Sequence, residues 1–325
     1  MKILTLTNEQ VFALADMKGS VEELKKAFLA EAEGRVESPV RTRFRMTDAR
    51  NVLLMPSLVR GTDTVSLKLV SVYPDLGPGV VSTRAFVLLV DGKNGDVKCM
   101  MGGTSLTGIR TGAVSGLSCQ YLARKDARTL AMLGAGGQGF YQVSGVASQL
   151  GLGEVRVFDP DRARQKALVE RCRNELKLEA RPVETVKEAA TGADVVVTAT
   201  TSKTPLLDAV HVTAGTHVIA IGAYTPDARE LGSDLVSKAS VFVDSFAAAM
   251  EEAGDILIPI REGRMTRSSV KGEMSGLVSG KVRGRQNDSE VTLFKAVGLA
   301  FEDNAVGWMV YDRAMKSGAG GWTEV

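Results

Sequence analysis

The stretch Ala131–Leu150, AMLGAGGQGFYQVSGVASQL, decides the fold of this chain. An apolar strand runs into Gly134, Gly136 and Gly139, spaced G-x-G-x-x-G, and a helix follows. In such a turn the first glycine allows a tight bend, the second lets the backbone approach a pyrophosphate, and the third lets helix and strand pack closely. The N–H groups at the helix N-terminus then face the phosphates. The stretch predicts a dinucleotide-binding turn.

The acidic residue that this fingerprint requires follows at the expected distance. EVRVFDPD predicts the second strand and carries Asp159 twenty positions after Gly139. A carboxylate there accepts hydrogen bonds from a ribose diol and repels a 2′-phosphate, which favours NAD(H). Arg162 and Arg164 are close enough to leave NADP(H) as an alternative. The cofactor-binding residues predicted from this region are Gly134, Ala135, Gly136, Gly137, Gln138, Gly139, Asp159 and Arg162.

A second cofactor-binding segment is predicted in the loop TATTS, residues 198–202, after about the fourth strand of the same domain. Ligands of open parallel sheets lie beyond the carboxyl ends of the strands. Thr198, Ala199 and Thr200 are therefore expected to contact ribose or nicotinamide, with an ordinary polar loop as the alternative.

The order of apolar strands, helical stretches and turn residues along the chain predicts two kinds of sheet. From Thr129 onward, short apolar strands alternate with helical stretches, which is typical of a parallel, doubly wound α/β sheet. The N-terminal third shows strands separated by Gly, Pro, Asp and Asn, which favours a mostly antiparallel sheet covered on one face. The segment from Val291 to Gly318 shows helical spacing of apolar residues and predicts one long amphipathic helix.

Composition excludes several classes of function. The net charge of +2, from 40 basic and 38 acidic side chains, gives no electrostatic footprint for nucleic acid or a membrane surface. No apolar run approaches the ~20 residues of a membrane span, and a cytoplasmic location is expected. The three cysteines lack metal-ligand spacing, so neither a metal site nor a disulfide framework is predicted. His211 and His217 are the two histidines of the sequence and are interpreted as structural, so acid–base catalysis by histidine is not expected.

The run VSLKLVSVYP, Val65–Pro74, places Lys68 inside an otherwise apolar strand. A lone lysine there usually extends its ammonium to the surface, and this is the ordinary interpretation. The alternative is a functional ammonium in a partly dry pocket.

Seven motifs follow one another from about Ser38 to the C-terminal helix: SPVRTRF, VSLKLVSVYP, FVLLVDGKNG, TSLTGIRTGAVSGLS, VIAIGAYTPDAREL, FVDS and VTLFKAVGLAFED. Together and in this order they resemble the ornithine cyclodeaminase/mu-crystallin family. The resemblance implies a Rossmann domain, residues 121–300, inserted in a discontinuous α+β substrate-binding and dimerisation domain, residues 1–120 and 301–325. It also implies a homodimer formed by the sheets of two subunits.

The resemblance further implies NAD(P)-dependent chemistry on small α-amino acids and α-imino acids. Arg41 and Lys68 match the substrate-carboxylate and catalytic positions of the family. Arg110 matches an arginine that reaches the substrate carboxylate or the cofactor phosphates, with Thr111 beside it. Thr83 and Val297 match positions near the substrate and the nicotinamide.

One departure from the cyclodeaminases bears on the reaction. Cyclodeaminases carry an aspartate two residues before the proline of the GxDxPG stretch, and here Tyr224 occupies that position. Asp227 follows the proline instead, as in the mu-crystallin and reductase branch, and is nominated as catalytic with Lys68. Reduction of an α-imino acid to an L-amino acid, or the reverse dehydrogenation, is thus favoured over cyclodeamination. A non-catalytic, crystallin-like nucleotide-binding protein is the alternative of another class.

Lys68 has a chemical task in this interpretation. Desolvation and neighbouring arginines should lower its pKa, so that it exchanges a proton with the substrate nitrogen or a water near neutral pH. The alternative is that Lys68 stays charged and only orients the carboxylate.

Overall fold

The computed structural model describes residues 2–47, 50–73 and 83–325, so Pro74 of the VSLKLVSVYP motif lies outside the described residues. The strands are β1 (Lys2–Leu6), β2 (Val36–Glu37), β3 (Thr42–Arg45), β4 (Asn51–Val59), β5 (Thr64–Val72), β6 (Thr83–Asp91), β7 (Val97–Gly102), β8 (Thr129–Leu133), β9 (Glu154–Phe158), β10 (Ala180–Pro182), β11 (Val195–Thr198), β12 (His217–Ala220), β13 (Ser240–Val243), β14 (Val270–Glu273), β15 (Thr292–Lys295) and β16 (Gly321–Glu324). The α-helices are α1 (Asn8–Leu14), α2 (Met17–Ala32), α3 (Gly103–Leu122), α4 (Gly139–Gln149), α5 (Arg162–Leu176), α6 (Val186–Ala190), α7 (Ser233–Lys238), α8 (Phe246–Glu252), α9 (Gly254–Arg261), α10 (Met274–Val278) and α11 (Ala300–Ser317).

The chain divides into two compact units, and the first comprises Met1–Arg110 and Gly298–Val325. Its sheet has the order β16-β1-β7-β6-β5-β4-β2, with β3 also paired to β4. All of these neighbours are antiparallel except β1 and β7. Buried and half-buried residues alternate along β4 and β5, because helix α11 covers one face. The predicted antiparallel, half-covered sheet is confirmed.

The second unit, Thr111–Val297, contains a parallel sheet in the order β10-β9-β8-β11-β12-β15-β13-β14. Its central strands β11, β12 and β15 are buried along their whole length, as expected for a sheet covered by helices on both faces. From β8 the chain builds outward to β9 and β10 on one side and to β11 and β12 on the other. This is the predicted doubly wound arrangement, whose ligand crevice lies beyond the carboxyl ends of the strands near β8.

The prediction of one long C-terminal helix from Val291 is wrong at its start. Thr292–Lys295 forms β15, a buried strand between β12 and β13. The backbone then turns at Gly298, where φ is +85°, and α11 begins only at Ala300. A short apolar run fits a buried strand as well as a helical turn, so periodicity alone did not separate the two.

The boundaries between the units, 110/111 and 297/298, lie N-terminal of the expected 120/121 and 300/301. The second half of α3 belongs to the second unit because Gly112 and Gly116 contact Gly145 of α4. A Cβ on Gly145 would overlap the carbonyl oxygen of Gly112, so the two helices touch backbone to backbone. Within the described ranges, none of the helices combines the length and apolar character needed to cross a membrane.

Candidate active site

Lys68 lies on the covered face of the first unit's sheet. It pairs with Met55 of β4 and Val87 of β6, both buried. Only 1% of Lys68 is exposed, so the interpretation that its ammonium reaches the surface is wrong. An ammonium buried to this extent requires compensating charge or a lowered pKa.

Two acidic residues at the start of α11 supply compensating charge. Lys68 Nζ lies 2.5 Å from Asp303 Oδ2, and both side chains are buried. Arg110 Nη1 donates to Glu302 Oε2 at 2.7 Å, and its Nε lies 3.4 Å from Asp303 Oδ1. Asp303 therefore contacts two of the predicted cations, Lys68 and Arg110.

Sequence reasoning assigned no role to Glu302 and Asp303. Acidic residues in the first turn of a helix are common because they interact favourably with the helix dipole, and most of them stay in water. The sequence held two signals: both residues end the family motif VTLFKAVGLAFED, and the apolar residues on both sides of them in LAFEDNAV indicate a buried turn.

Arg41 joins the same cluster through the backbone that precedes α11. Its Nη2 donates to the carbonyl oxygen of Gly298 at 2.8 Å. A Cβ on Gly298 would overlap Nη1 of Arg110, so a glycine is needed there for contact as well as for its positive φ. The structure thus brings together the three cations predicted from the sequence, Arg41, Lys68 and Arg110, and adds two carboxylates to them.

The surroundings of Lys68 change its acidity. Burial and the neighbouring Arg110 guanidinium lower the pKa of Lys68 from its ordinary 10.5 to about 8, although Asp303 acts in the opposite direction. A group with a pKa near 8 is able to give and take a proton at physiological pH.

Apolar side chains adjoin this polar cluster on the same side of the sheet. Leu53, Met55, Val70 and Ala300 form a buried group, with Val72 and Ala85 packed against it. The cationic groups of the first unit therefore lie beside a buried apolar cluster.

The glycine turn of the second unit has the predicted geometry. Gly134 has φ +106°, and a Cβ there would lie 2.5 Å from the carbonyl oxygen of Ala199. A Cβ on Gly139 would meet the Leu168 side chain at 2.8 Å, so this glycine brings α4 against α5. A Cβ on Gly136 or Gly137, by contrast, would meet no heavy atom of the described residues within 4 Å. The turn is tight where it packs and open where a pyrophosphate would approach, which fits a dinucleotide.

The predicted ribose-binding acid lies beside this turn. Asp159 follows β9, and its Oδ2 accepts a hydrogen bond from the N–H of Ala135 at 2.6 Å. Its Oδ1 accepts one from the N–H of Asp161 at 2.8 Å. Two backbone donors thus orient the Asp159 carboxylate at the carboxyl end of β9. Gln138 directly precedes α4, and its side chain does not cap the helix. The backbone N–H groups of the first turn of α4 are therefore left to acceptors other than the Gln138 side chain.

The other predicted cofactor residues have varied environments. Arg162 donates to Gln165, to the carbonyl of Val183 and to Glu184. The Thr198 hydroxyl and the Thr200 N–H both donate to Glu230, a residue that sequence reasoning did not single out.

The backbone N–H of Val297 donates to Asp244 at 2.7 Å. Thr111 is buried in α3, and its carbonyl accepts a hydrogen bond from Ser115. Thr83 is exposed at the start of β6. Asp227 is exposed in the loop after β12, where the Thr225 hydroxyl lowers its pKa.

The second unit also buries a histidine. His217 lies between the hydroxyls of Ser118 and Thr292, at 3.0 and 2.9 Å, and burial lowers its pKa to about 3. It is therefore neutral at physiological pH and links α3 to the sheet. In the described ranges, no group of three His, Cys, Asp or Glu side chains is arranged to hold a metal ion.

Comparison with known proteins places this chain in a family. The sequence profile of the ornithine cyclodeaminase/mu-crystallin family matches residues 1–318. The chain belongs to that family, and the resemblance found in the sequence is confirmed.

Three relatives show what members of the family do. The Delta(1)-pyrroline-2-carboxylate reductase of Bacillus cereus is 31% identical over 321 residues, 98% of each chain. The structure of the Thermococcus litoralis Delta(1)-pyrroline-2-carboxylate reductase in complex with NADH and L-proline is 35% identical, with a TM-score of 0.96 over 99% of this chain and 100% of that one. An archaeal alanine dehydrogenase dimer with bound NAD is 29% identical, with a TM-score of 0.93 over 100% of this chain and 99% of that one.

Proposed function

We propose that this protein is an NADH-dependent reductase that converts a small α-imino acid into an L-amino acid and also runs in the reverse direction. The observation that carries the proposal is the buried cluster of Lys68, Arg110 and Asp303, with Arg41 beside it. The reductases and the dehydrogenase among the relatives support the reaction type. The protein is an oxidoreductase in this proposal.

Each residue of the cluster has a role in this reaction. Arg41 and Arg110 bind the substrate carboxylate, because planar guanidinium groups suit carboxylates. Lys68 holds a proton at Nζ and donates it to the imine nitrogen, which makes the adjacent carbon a better hydride acceptor. Asp303 orients the Lys68 ammonium and stabilises its charged form. A bound dihydronicotinamide supplies the hydride.

The apolar group next to Lys68 indicates the substrate side chain. Leu53, Met55, Val70 and Ala300 are buried apolar residues beside the cluster, and an apolar environment favours a short alkyl group or an apolar ring over a charged group. A second carboxylate on the substrate would lose its hydration there without a partner among these four residues. We therefore expect monocarboxylic imines to be better substrates than iminosuccinate.

The cofactor preference follows from two residues near β9. Asp159 lies beside the glycine turn, where a ribose 2′-hydroxyl is favoured over a 2′-phosphate. Arg162 is engaged by Glu184, which offsets the cation that would otherwise attract a 2′-phosphate. We therefore expect NADH to be preferred over NADPH, and the ion pair of Arg162 with Glu184 to strengthen that preference.

The proposal is tested by following NADH and NADPH oxidation with cyclic imines, and with methylamine or ammonium plus pyruvate, glyoxylate or oxaloacetate. We expect the highest kcat/KM with NADH and a cyclic or pyruvate-derived imine. Ammonia release from ornithine or lysine without net NADH change would instead indicate a cyclodeaminase. Nucleotide binding without turnover on any of these substrates would indicate a non-catalytic protein.

The role of Lys68 is tested by replacing its ammonium. In Lys68→Met we expect kcat to fall by about 100-fold or more, the usual contribution of a general acid, while NADH binding stays within about twofold. Lys98→Met is the matched control, since Lys98 lies on strand β7 of the same sheet and pairs with Asp96 at the surface. Unchanged turnover in Lys68→Met would refute the assignment.

The proposal includes a homodimer formed through the uncovered face of the first unit's sheet. Side chains of this apolar sheet face stand in register across four strands; they are Leu54, Pro56, Leu58, Val65, Leu67, Leu69, Phe86, Leu88, Val90 and Met100. Phe86 and Met100 are 37% and 43% exposed. A contiguous apolar patch of this kind is typical of a subunit interface, and the archaeal alanine dehydrogenase relative is a dimer. The expected cytoplasmic location stays a prediction.

A further inference from the structure

A buried charged cluster lies at the carboxyl edge of the second unit's sheet, and the proposed reaction does not use it. Glu230, Asp255 and Lys295 have no exposed surface. They come from the loop after β12, from helix α9 and from the last position of β15. Three fully buried ionisable groups are costly unless each is paired and hydrogen-bonded, so their arrangement calls for an explanation.

Glu230 connects the loops that follow two neighbouring strands. Its Oε1 accepts from the N–H of Thr200 at 2.6 Å, in the loop after β11. Its Oε2 accepts from the N–H of Gly222 at 2.7 Å, after β12, and from the hydroxyl of Thr198 at 2.9 Å. One carboxylate thus receives three donors from two loops.

Asp255 and Lys295 hold Glu230 in place from the other side. Asp255 Oδ1 accepts from the backbone N–H groups of Glu230 and Leu231 at 2.7 and 3.0 Å. Lys295 Nζ lies 2.9 Å from Asp255 Oδ2 and donates to the carbonyl of Ala223 at 2.5 Å. The cluster therefore links the ends of three adjacent strands, β11, β12 and β15.

The same loops touch the glycine turn. The Ala199 carbonyl approaches Gly134 so closely that a Cβ on Gly134 would lie 2.5 Å from its oxygen. A Cβ on Gly222 would overlap the Thr200 carbonyl oxygen and lie 2.5 Å from Glu230 Oε1. A shift of the Glu230 carboxylate would therefore move the backbone that borders the cofactor crevice.

The position of these strands assigns them to one half of the dinucleotide. In a doubly wound sheet, the two halves each bind one mononucleotide, and the acid after the second strand binds the adenosine ribose. Asp159 after β9 marks the adenosine half. The ends of β11, β12 and β15 lie on the opposite side of β8 and so border the nicotinamide half.

We propose that Glu230 is a positioning residue for the nicotinamide half of the cofactor, fixing the loops after β11 and β12 while Asp255 and Lys295 hold it in place. The inference rests on the proposed use of NADH. Glu230 does not contact the reacting atoms in this proposal; it acts through Thr198, Thr200 and Gly222.

The test compares two nucleotides that differ in the nicotinamide half. Glu230→Gln replaces one carboxylate oxygen by an NH2 group, which cannot accept from a backbone N–H. We expect Kd for NADH to rise about tenfold, as for the loss of one buried hydrogen bond. We expect Kd for ADP to change less than twofold, because ADP lacks both the nicotinamide and the ribose that carries it.

Asp194→Asn is the matched control. Asp194 also accepts two backbone N–H groups, those of Arg128 and Thr129 at 2.8 and 2.9 Å, but at the amino ends of β8 and β11. Asp194→Asn should lower Tm and leave both Kd values unchanged. If Glu230→Gln fails to fold, Thr198→Val takes its place in the test. It removes one donor to Glu230 without disturbing the ion pair of Asp255 and Lys295, and it should weaken the binding of NADH alone.

The outcomes separate the inference from the proposed function. Equal weakening of NADH and ADP binding in the Glu230 or Thr198 variant, or no weakening at all, would overturn the positioning role. If the wild-type protein binds NADH but reduces no imine, the proposed reaction fails and the nucleotide comparison still decides the role of Glu230. If the wild-type protein binds no NADH, both fail.

Discussion

Gly298 is required both for its backbone conformation and for its close contact with Arg110. Substitutions can separate these two effects. Its φ of +85° disfavours any residue with a Cβ, and a Cβ would also overlap the Arg110 guanidinium. We expect Gly298→Ala to lower kcat/KM for the imino acid by about 100-fold, the effect of a displaced binding group. The measurement is steady-state kinetics at saturating NADH.

Gly318 provides the control for that substitution. It ends α11 with φ +70°, and a Cβ there would meet no heavy atom of the described chain within 4 Å. Gly318→Ala should cost only the ~1–2 kcal/mol of a left-handed conformation and leave the kinetics unchanged. Equal kinetic losses in both variants would show that backbone strain, and not the contact with Arg110, controls the site.

The lowered pKa of Lys68 predicts opposite pH profiles for the two directions of the reaction. With a pKa of about 8, Lys68 is mostly charged at pH 7 and mostly neutral at pH 9. The reduction needs the charged acid, so its kcat/KM should fall as pH rises through about 8. The oxidation needs the neutral base, so its kcat/KM should rise over the same range. In Lys68→Met both transitions should disappear; their persistence would assign them to another group.

The sequence located the cations of the site better than their partners. Lys68, Arg41 and Arg110 stood in recognisable motifs, and the structure brings all three together. Glu302 and Asp303 were missed because acidic residues at a helix start have an ordinary explanation in the helix dipole. Glu230 was missed because burial and donor geometry are tertiary properties that no local pattern records.

At the level of elements, the contact between α3 and α4 is set by glycines. A Cβ on Gly145 would overlap the backbone oxygen of Gly112, which a side-chain rotation cannot relieve. We expect Gly145→Ala to lower the free energy of unfolding by about 3 kcal/mol, the upper range for overpacking. Thermal or urea unfolding measures the change.

Gly307 of α11 is the comparison for that variant. Its Cβ position lies 3.2 Å from a terminal methyl group of Leu89, a side chain that can adjust. Gly307→Ala should be nearly neutral, because the gain in helix propensity of ~1 kcal/mol offsets the closer packing. Equal losses of unfolding free energy in both variants would show that a backbone contact at Gly145 is no more restrictive than the side-chain contact at Gly307.

The strands and helices were predictable where periodicity and turn residues agreed. The strands β5, β6, β8 and β9 overlap motifs quoted above, because an apolar run bounded by turn residues marks each of them. β15 was misread because the five residues VTLFK are too few for length to separate strand from helix, although a turn at residues 287–289 precedes them. Its identity as a strand comes from its two parallel neighbours, β12 and β13, which are distant in sequence.

At the scale of the whole molecule, the apolar sheet face predicts the oligomeric state. Leu67 lies near its centre, paired with Pro56 and Leu88. We expect the wild-type protein to have the mass of a dimer by light scattering, and Leu67→Glu to have that of a monomer, because a buried unpaired carboxylate disrupts the interface. Val210→Glu is the control, since Val210 is 81% exposed and lies in the second unit. A dimeric Leu67→Glu variant would place the interface elsewhere.

The second unit is one continuous segment, whereas the first is assembled from both ends of the chain. Asp303 follows Lys68 by 235 positions, and Glu302 follows Arg110 by 192. Domains tend to fold as they leave the ribosome. The nucleotide-binding unit can therefore fold before Lys68 and Arg110 gain their counterions, because helix α11, which carries Glu302 and Asp303, follows that unit in the chain. The capacity to bind nucleotide should accordingly appear during synthesis before catalytic competence does.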